Sequence, residues 1–274
     1  MKIIQQTNMT PIQSMGYVVV SDSGHVLVID GGDKDNGAEL KRIIRSVGGH
    51  VDLWLLTHPH KDHYTAIMEV LTDPEGITYD KIGSSWLPDE WAQPVEQWEL
   101  NELRAWNAFS RTLDERYFEL REGQAFRLGS MKVEVHASAN PDLTTNFGNN
   151  QSCVISVTED DFSMLFLGDL GVEAGRRLLE KHKDLRSDAV QMAHHGQNGV
   201  ERNVYENIAP TYAFWPTPTW LWENAPYPGG NAGEGPYATP EVIDWMQQLG
   251  AKNITSFEHT TVFDTKTKAI SVYE

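Results

Sequence analysis

Cysteine is almost absent from this sequence of 274 residues, which contains only Cys153. A single cysteine excludes an intramolecular disulfide framework, so the fold has to be held together by its apolar core. Cys153 lies in an apolar segment with the pattern of a strand, and we expect it to be a small buried side chain.

Basic residues are also scarce. The chain has 22 lysines and arginines against 39 aspartates and glutamates, which gives a formal net charge of −17 and a pI near 4.9. Such a charge repels polyanions over a Debye length, roughly 8 Å in physiological salt. Because nucleic-acid-binding domains usually carry a basic face, the composition argues against DNA or RNA as a partner.

Long apolar runs are missing as well. No stretch approaches the roughly 20 apolar residues that a membrane-spanning helix needs. The segment Met1–Gln6 also lacks the apolar region of a secretory signal. We therefore expect a cytoplasmic protein without a membrane partner, and the sequence leaves its oligomeric state open.

Histidines, in contrast, are concentrated in one motif. Thr57–His63 reads Thr-His-Pro-His-Lys-Asp-His and follows a short apolar segment typical of a buried strand. An extended backbone projects His58 and His60 to one side, and Asp62 and His63 follow as the chain turns. This set suits two adjacent divalent ions, and mixed nitrogen and oxygen ligands favour Zn, Mn or Fe over Ca or Mg. A histidine-rich surface loop is the alternative, and the position directly after a buried strand disfavours it.

The periodicity along the chain predicts one α/β domain over residues 1–274, without repeats or linkers. We expect strands over 15–20, 25–29, 132–136, 152–158, 162–167 and 189–193, helices over 37–47, 64–71, 172–183 and 240–249, and a loop over 216–236. Residues from about 86 to 118 are rich in Trp, Glu and Arg, and we expect them to form a mostly helical insertion over the site.

Further polar residues follow other predicted strands. Asp30, Asp169 and the pair His194–His195 each come directly after one of them. Taken alone, Asp30 can be a turn residue, Asp169 a helix N-cap, and one of the two histidines a structural residue bonded to the backbone.

In this order along the chain, the motif at 57–63, Gly168-Asp169-Leu170 and the His-His-Gly at 194–196 resemble the metal-binding motifs of the metallo-β-lactamase fold superfamily of hydrolases. The resemblance covers essentially the whole chain. It implies an α/β fold of the αββα sandwich type in a single domain. It also implies two divalent metal ions, zinc first among them, with Mn or Fe as alternatives.

The same resemblance implies roles for the site residues. The implied metal ligands are His58, His60, Asp62, His63, Asp169, and His194 or His195. Asp169 would bridge the two ions, and Asp30 would support a ligand histidine through a hydrogen bond. His194, at the strand end, is the preferred ligand, and His195 would contact substrate or donate a proton.

One segment departs from the usual superfamily pattern. Many members have a third histidine between the first motif and the bridging aspartate, and the matching segment here is Asn149-Asn150-Gln151-Ser152. Asn150 is the expected weak ligand, with His136 as a less favoured candidate. The pattern resembles a subgroup that includes the hydrolase domain of ComEC-like DNA-uptake proteins and phosphorylcholine esterases. An amide oxygen is a weaker ligand than imidazole, so we predict unequal occupancy of the two metal sites.

Aromatic residues suggest the substrate. Trp220 and Trp222 lie in a loop rich in proline and glycine, and we expect them to line a substrate pocket. Trp98, Trp106 and Trp245 have helical periodicity, and we expect them in the core. Aromatic walls in a negative field suit a cationic head group, and a sugar or a flat ring almost as well.

These observations favour a metal-dependent hydrolase that acts on a small or cell-envelope-related phosphodiester. Asp62 would orient the attacking water, and His195 would protonate the leaving group. A lactonase or β-lactamase-like acyl hydrolase is the first alternative. A non-catalytic metal-binding or scaffold protein that retains the fold is the second, and the complete ligand set speaks against it.

Overall fold

The computed structural model describes residues 1–92 and 95–274 and consists of two β-sheets covered by helices. The strands are β1 (Lys2–Gln5), β2 (Gly16–Val20), β3 (Val26–Asp30), β4 (His50–Leu55), β5 (Thr78–Ser84), β6 (Tyr117–Glu119), β7 (Ala125–Leu128), β8 (Met131–Ala137), β9 (Val154–Glu159), β10 (Phe162–Phe166), β11 (Ala189–Gln191), β12 (Tyr212–Trp215), β13 (Lys252–Thr255), β14 (Thr261–Asp264) and β15 (Ile270–Val272). The helices are α1 (Gly37–Ser46), α2 (Lys61–Thr72), α3 (Gln97–Ser110), α4 (Phe147–Asn150), α5 (Val172–Lys181), α6 (Arg202–Ile208), α7 (Thr219–Trp222) and α8 (Thr239–Gln248).

The two sheets have the strand orders β15-β14-β1-β2-β3-β4-β5-β6 and β13-β12-β11-β10-β9-β8-β7. Alternate side chains of each strand point to opposite faces, so one face of each sheet packs against the other sheet. Leu27 and Leu53 of the first sheet lie in the same buried cluster as Ile155 and Phe214 of the second. Each such side chain contributes about 1.5–3 kcal/mol when it is fully removed from water.

The outer faces of the sheets are covered by helices. Ile43 of α1 and Ile67 of α2 pack with Trp54 of β4 on the outside of the first sheet. Leu178 of α5 and Met246 of α8 belong to the buried cluster on the outside of the second. The layers are therefore helix, sheet, sheet and helix, and the predicted αββα sandwich is confirmed. None of the helices in the described ranges is long and apolar enough to cross a membrane.

Two predicted element boundaries are wrong close to the motifs. The helix expected from residue 64 begins at Lys61, because the extended His60 precedes its first turn and its carbonyl accepts the amide of His63 at 3.0 Å. Asp62 and His63 therefore lie in the first turn of α2, where a carboxylate is favoured by the helix dipole. The strand expected to reach residue 193 ends at Gln191, and a 3-10 turn follows.

The segment expected to be a helical insertion contains α3 and a 3-10 helix over Arg111–Arg116, and its last two residues belong to β6. Residues 93 and 94 lie outside the described residues. That this segment is an insertion stays a prediction. The loop expected over 216–236 contains the short helix α7.

Candidate metal centre

The predicted site residues come from strand ends of both sheets. Asp30 is the last residue of β3, and the histidine motif follows β4, which is parallel to β3. Asp169 follows β10, and His194 follows the parallel strand β11. Because parallel neighbours end at the same edge of a sheet, the residues after these strands meet at one end of the sandwich.

Two groups of possible metal ligands form there, and they share Asp169. The first group is His58, His60 and Asp169, and the second is Asp62, His63, Asp169 and His195. Within each group, the potential ligand atoms lie within 4.8 Å of one another. Asp169 is central, because its Oδ2 lies 3.7 Å from His58 Nε2, 3.3 Å from His63 Nε2 and 3.5 Å from His195 Nε2.

Several atoms at the centre are buried and make no hydrogen bond within the described chain. They are His58 Nε2, His63 Nε2, His195 Nε2 and Asp169 Oδ1. A buried polar atom without a partner costs about 1–3 kcal/mol, so four of them converging on one point call for a ligand. Three imidazole nitrogens around a carboxylate form a donor set that fits Zn-like divalent ions.

Hydrogen bonds on the far side of the rings set the histidine tautomers. His195 Nδ1 lies 2.7 Å from the carbonyl oxygen of Pro216, which can only accept, so Nδ1 carries the proton. His63 Nδ1 lies 2.7 Å from Asp30 Oδ2 and is protonated for the same reason. In both rings, Nε2 is therefore the nitrogen that faces the centre, and it can bind a metal ion once it has lost its own proton.

Asp30 occupies the supporting place that the resemblance implies. It is fully buried, and its carboxylate accepts both the amide and the hydroxyl of Thr57, at 2.7 and 2.8 Å, besides the His63 ring. Burial raises the pKa of Asp30, and His63 and Thr57 act against that shift. Asp30 also has a φ of 56°, a left-handed conformation that asparagine and aspartate tolerate better than most residues.

The charges of the centre are strongly coupled. Burial lowers the pKa of His58 well below its usual value, and the neighbouring histidines lower it further. Burial also lowers the pKa of His63, but Asp169, Asp30 and Asp62 outweigh burial and raise it well above its usual value. The pKa of His195 rises to about 9 because the carboxylates outweigh burial there too. Without metal, protons therefore neutralise the second group, and cations must displace them.

The structure places the last two histidines in different surroundings. Both lie in the left-handed region, with φ of 50° for His194 and 55° for His195, so the backbone turns sharply between the two rings. His195 is fully buried and faces Asp62 and Asp169. His194 belongs to neither ligand group and lines the adjacent cleft. His195, and not His194, therefore lies among the possible ligands around Asp169.

Asn150 is not placed at either group. Its Oδ1 accepts the amides of Gly171 and Ala174 at 3.0 and 3.2 Å, where α5 begins, and its Nδ2 donates to the carbonyl of Thr145 at 2.6 Å. The amide is fully used in holding these segments together. The other candidate, His136, is bonded to the Ser156 hydroxyl at 2.8 Å and belongs to neither ligand group.

Sequence reasoning missed three polar residues near the centre. Asn149, one position before the expected ligand, lines the cleft, and its buried Oδ1 has no hydrogen-bond partner in the described chain. Glu99 of α3 lies 3.3 Å from His60 Nε2. Glu102, one turn later on the same face of α3, accepts the amide of Lys61 at 3.0 Å. The pair of acids three residues apart was the available signal, since residues at that spacing share a helix face.

A cleft of about 420 Å³ opens beside the two groups. Its lining residues are Pro11, Ile12, Gln13, His60, Lys61, Asp62, Trp98, Glu102, Asn149, Asp169, His194, Trp220 and Pro228. Trp220 lies in its wall as expected, whereas Trp222 packs edge-on against Trp215 in the core. Trp98, expected in the core, is 53% exposed, and its ring lies 5.7 Å from that of His60. Trp106 is buried as expected.

Removal of metal should lower thermal stability. The groups lie in the folded protein only, so an ion that binds them at 100 times its Kd adds about 2.7 kcal/mol to the free energy of unfolding. We expect a lower Tm after chelation and a full recovery on addition of Zn²⁺. Differential scanning calorimetry, with the metal content measured on the same samples, tests this. An unchanged Tm after proven metal loss contradicts a tight site.

Comparison with known proteins supports the fold. No protein-family model matches the sequence, and no curated protein matches it. Among solved structures, the chain is similar to the metallo-β-lactamase fold protein YhfI from Bacillus subtilis, with a TM-score of 0.56 and 9% identity over 96% of this chain and 99% of that one. It is also similar to a variant of the CmlA β-hydroxylase, with a TM-score of 0.54 and 12% identity over 93% of this chain and 52% of that one. The protein therefore has the metallo-β-lactamase fold.

Proposed function

We propose that the protein is a metal-dependent hydrolase that cleaves a small phosphodiester. The observation that carries this proposal is the convergence of buried atoms from His58, His63, His195 and Asp169 that make no hydrogen bond within the described residues, beside an open cleft that Asp169 lines. Structural polar networks are normally satisfied, whereas catalytic metal sites keep positions open for substrate and water.

A pair of divalent ions, when bound, supplies Lewis-acid activation of water and neutralises charge on the reacting group. The protein would hold the ions and orient the water and the substrate. His58, His60, Asp62, His63, Asp169 and His195 would hold the ions. Asp62 also lines the cleft, so its carboxylate can accept a hydrogen bond from a water molecule and orient it. Asp169, between three imidazoles, fixes the two groups relative to each other.

The histidine proposed to protonate the leaving group has to be reassigned. His195 uses Nδ1 for the Pro216 carbonyl and turns Nε2 to the ligand group, so neither nitrogen is free for substrate. His194 lines the cleft without joining a ligand group. Its Nδ1 and Nε2 each have one polar neighbour at 3.3 Å, the Asn198 carbonyl and Asn149 Nδ2, and neither nitrogen faces a possible metal ligand. We therefore assign the contact with the substrate's polar atoms to His194.

One positive side chain at the cleft can contact an anionic substrate group. Lys61 lines the cleft at the first turn of α2, where the positive end of the helix dipole adds to its charge. A phosphodiester carries its negative charge at the scissile group, whereas a lactone or a simple ester carries none there. This difference supports the phosphodiester over the acyl substrate, and the net charge of −17 disfavours a nucleic acid.

The cleft walls suit a cationic group on the rest of the substrate. Trp98 and Trp220 line it, and the carboxylate of Glu102 lies in the same wall. Aromatic faces attract quaternary ammonium groups through cation–π interaction, and a nearby carboxylate adds to the attraction. A cell-envelope phosphodiester with such a head group matches these features. The resemblance of the sequence to phosphorylcholine esterases supports the same substrate class.

A substrate panel tests the reaction class. The protein should be purified without chelators, analysed for metal, and assayed with bis-p-nitrophenyl phosphate, nitrocefin and a set of lactones. Metal-dependent turnover of the phosphodiester alone is the expected result. Turnover of the lactam or lactones alone identifies an acyl hydrolase, and metal binding without turnover of any of them points to the scaffold alternative.

Replacement of Trp98 should weaken binding of a cationic substrate. We expect Trp98→Ala to raise the KM for p-nitrophenyl phosphorylcholine by roughly fivefold, because a cation–π contact is worth about 1 kcal/mol. The matched substrate is the neutral analogue in which carbon replaces the quaternary nitrogen, and its KM should change little. Trp98→Phe, which retains a ring, should lie between Trp98→Ala and wild type. An equal rise in KM for both substrates rules out recognition of the charge.

A further inference from the structure

His60 differs from the other motif histidines in the nitrogen that is already engaged. His60 Nε2 lies 3.3 Å from Glu99 Oε1, whereas His63 and His195 are held through Nδ1. Since Nε2 faces the carboxylate, Nδ1 is the nitrogen left for the group that His60 forms with His58 and Asp169. Glu99 therefore contacts the ring nitrogen of His60 that faces away from the group, as Asp30 does for His63.

Glu99 makes a second contact, with the backbone of α4. Its Oε1 accepts the amide of Gly148 at 2.5 Å. A Cβ at Gly148 would overlap both the His60 ring and the Glu99 carboxylate, although the backbone there is ordinary helix that any residue adopts. Only a residue without a side chain lets α4 lie against this pair, so α4 and His60 are held at one distance by the same carboxylate oxygen.

The residue after Gly148, Asn149, has an amide oxygen that is available as a metal ligand. Asn149 is 6% exposed, and its Oδ1 is buried without a hydrogen bond in the described chain. Its Nδ2 donates to Asn146 Oδ1 at 3.1 Å and lies 3.3 Å from His194 Nε2, so the amide orientation is fixed. Asn149 lines the cleft together with His60 and Asp169.

We propose that Glu99 is the positioning residue of the group formed by His58, His60 and Asp169, and that Asn149 Oδ1 is the additional donor of this group. Glu99 fixes the His60 ring so that Nδ1 binds metal, and it fixes α4 so that the Asn149 amide faces the same ion. This inference rests on the proposed metal centre and extends it to the segment that carries α3.

The two groups should then differ in how their affinity is supported. Loss of a hydrogen-bond partner behind a metal ligand typically costs about 10–100-fold in affinity. The first group has two imidazoles and an amide oxygen, which is a weak donor to Zn-like ions, so its ion should be the weaker one. Asp30 and the Pro216 carbonyl hold the second group, and Glu99 makes no hydrogen bond to them.

Zinc titration of the metal-free, full-length protein tests the proposal. Calorimetry with a competing chelator measures the two affinities separately. We expect Glu99→Ala to weaken the lower-affinity ion about 10–100-fold while the higher-affinity ion changes by less than about threefold. Glu99→Gln keeps the size and one acceptor oxygen, and should give a smaller loss at the same ion. Asn149→Ala should weaken the same ion as Glu99→Ala.

Glu102→Gln is the matched control. It removes a carboxylate charge from the same face of α3, one turn from Glu99, but Glu102 accepts a backbone amide instead of contacting a histidine ring. Both zinc affinities should stay within about threefold of wild type. A loss equal to that of Glu99→Gln would show that charge on this face of α3, and not the contact with His60, determines the affinity, and it would overturn the proposal.

Two other results also overturn the proposal. One is a Glu99→Ala protein that binds both ions like wild type. The other is an equal loss at both ions together with a lower Tm of the metal-free protein, which identifies a general structural role. Because the readout is binding, a wild-type protein that binds two ions but hydrolyses no substrate refutes the proposed function alone. A wild-type protein that binds no zinc refutes both.

Discussion

Asp169→Asn should abolish tight binding of both ions and with it the hydrolytic activity. Asp169 is the one residue shared by the two ligand groups, and its Oδ2 lies within 3.3–3.7 Å of three imidazole nitrogens. An amide of the same shape loses the negative charge and places an NH2 group where one oxygen faced a cation. We expect each zinc affinity to fall by more than about 100-fold, beyond the usual cost of losing an outer hydrogen-bond partner.

The measurement is zinc stoichiometry by equilibrium dialysis together with turnover of the phosphodiester. Asp142→Asn is a suitable control, because this exposed carboxylate pairs with Arg177 on the surface and belongs to neither ligand group. It should bind two ions like wild type. If Asp169→Asn retains one ion with unchanged affinity, Asp169 serves a single group and the shared arrangement is wrong.

The fold could be predicted because its main signals are local and repeated. Both faces of β4 are buried, with Leu53 and Leu55 against the other sheet and Trp54 against the helices. The segment is therefore a short continuous apolar run, which is the sequence signal of a buried strand. The motif at 57–63 then has a fixed place at a strand end. The order of the later motifs along the chain matched a known sandwich, and the structure has that architecture.

Which of two adjacent residues faces the centre could not be predicted. His194 was preferred because it comes first after the strand, but both His194 and His195 adopt a left-handed conformation. Such a conformation is uncommon for a residue other than glycine, and it redirects the side chains of the pair. Sequence periodicity assumes regular backbone, so it fails where the backbone of a site is strained.

The irregular backbone also explains why Asn149 lines the cleft, although Asn150 is the residue expected at the metal. The two asparagines precede the strand expected from residue 152 and carry no helical pattern, whereas residues 147–150 form the helical turn α4. In a helix, neighbouring residues point about 100° apart, so one asparagine faces the cleft and the other holds α5. The spacing of Glu99 and Glu102 predicts that they share a helix face, but no pattern links Glu99 to His60, which is 39 residues away along the chain.

Asp30→Ala should strongly destabilise the protein even without metal. The carboxylate of Asp30 is fully buried and receives the Thr57 amide, the Thr57 hydroxyl and the His63 ring. Removal of one partner from a buried charged pair costs about 3–5 kcal/mol, because the other partners are left unpaired. Urea unfolding with a chelator present should show a loss of this size, and zinc titration should show weakened binding at the second group.

Asp30→Asn separates the charge from the backbone conformation. Asparagine tolerates the φ of 56° at this position, whereas alanine adds about 1 kcal/mol of strain. An amide that donates to His63 Nδ1 would also move the ring proton to Nε2 and block metal binding, so zinc affinity should fall even where stability is partly recovered.

Asp52→Asn provides the matched control for Asp30. Asp52 also accepts a backbone amide and a histidine Nδ1, from Val26 at 2.7 Å and His25 at 2.5 Å, but it lies near the start of β4, where its side chain is partly exposed. It belongs to a separate group with His50 and Asp80, which shares no residue with the two groups that contain Asp169. Water can replace its lost contacts, so we expect a cost of about 1 kcal/mol and unchanged zinc affinity. If Asp30→Asn costs no more than Asp52→Asn and leaves zinc binding intact, burial of the carboxylate behind His63 does not tune the metal centre, and Asp30 is only a turn residue.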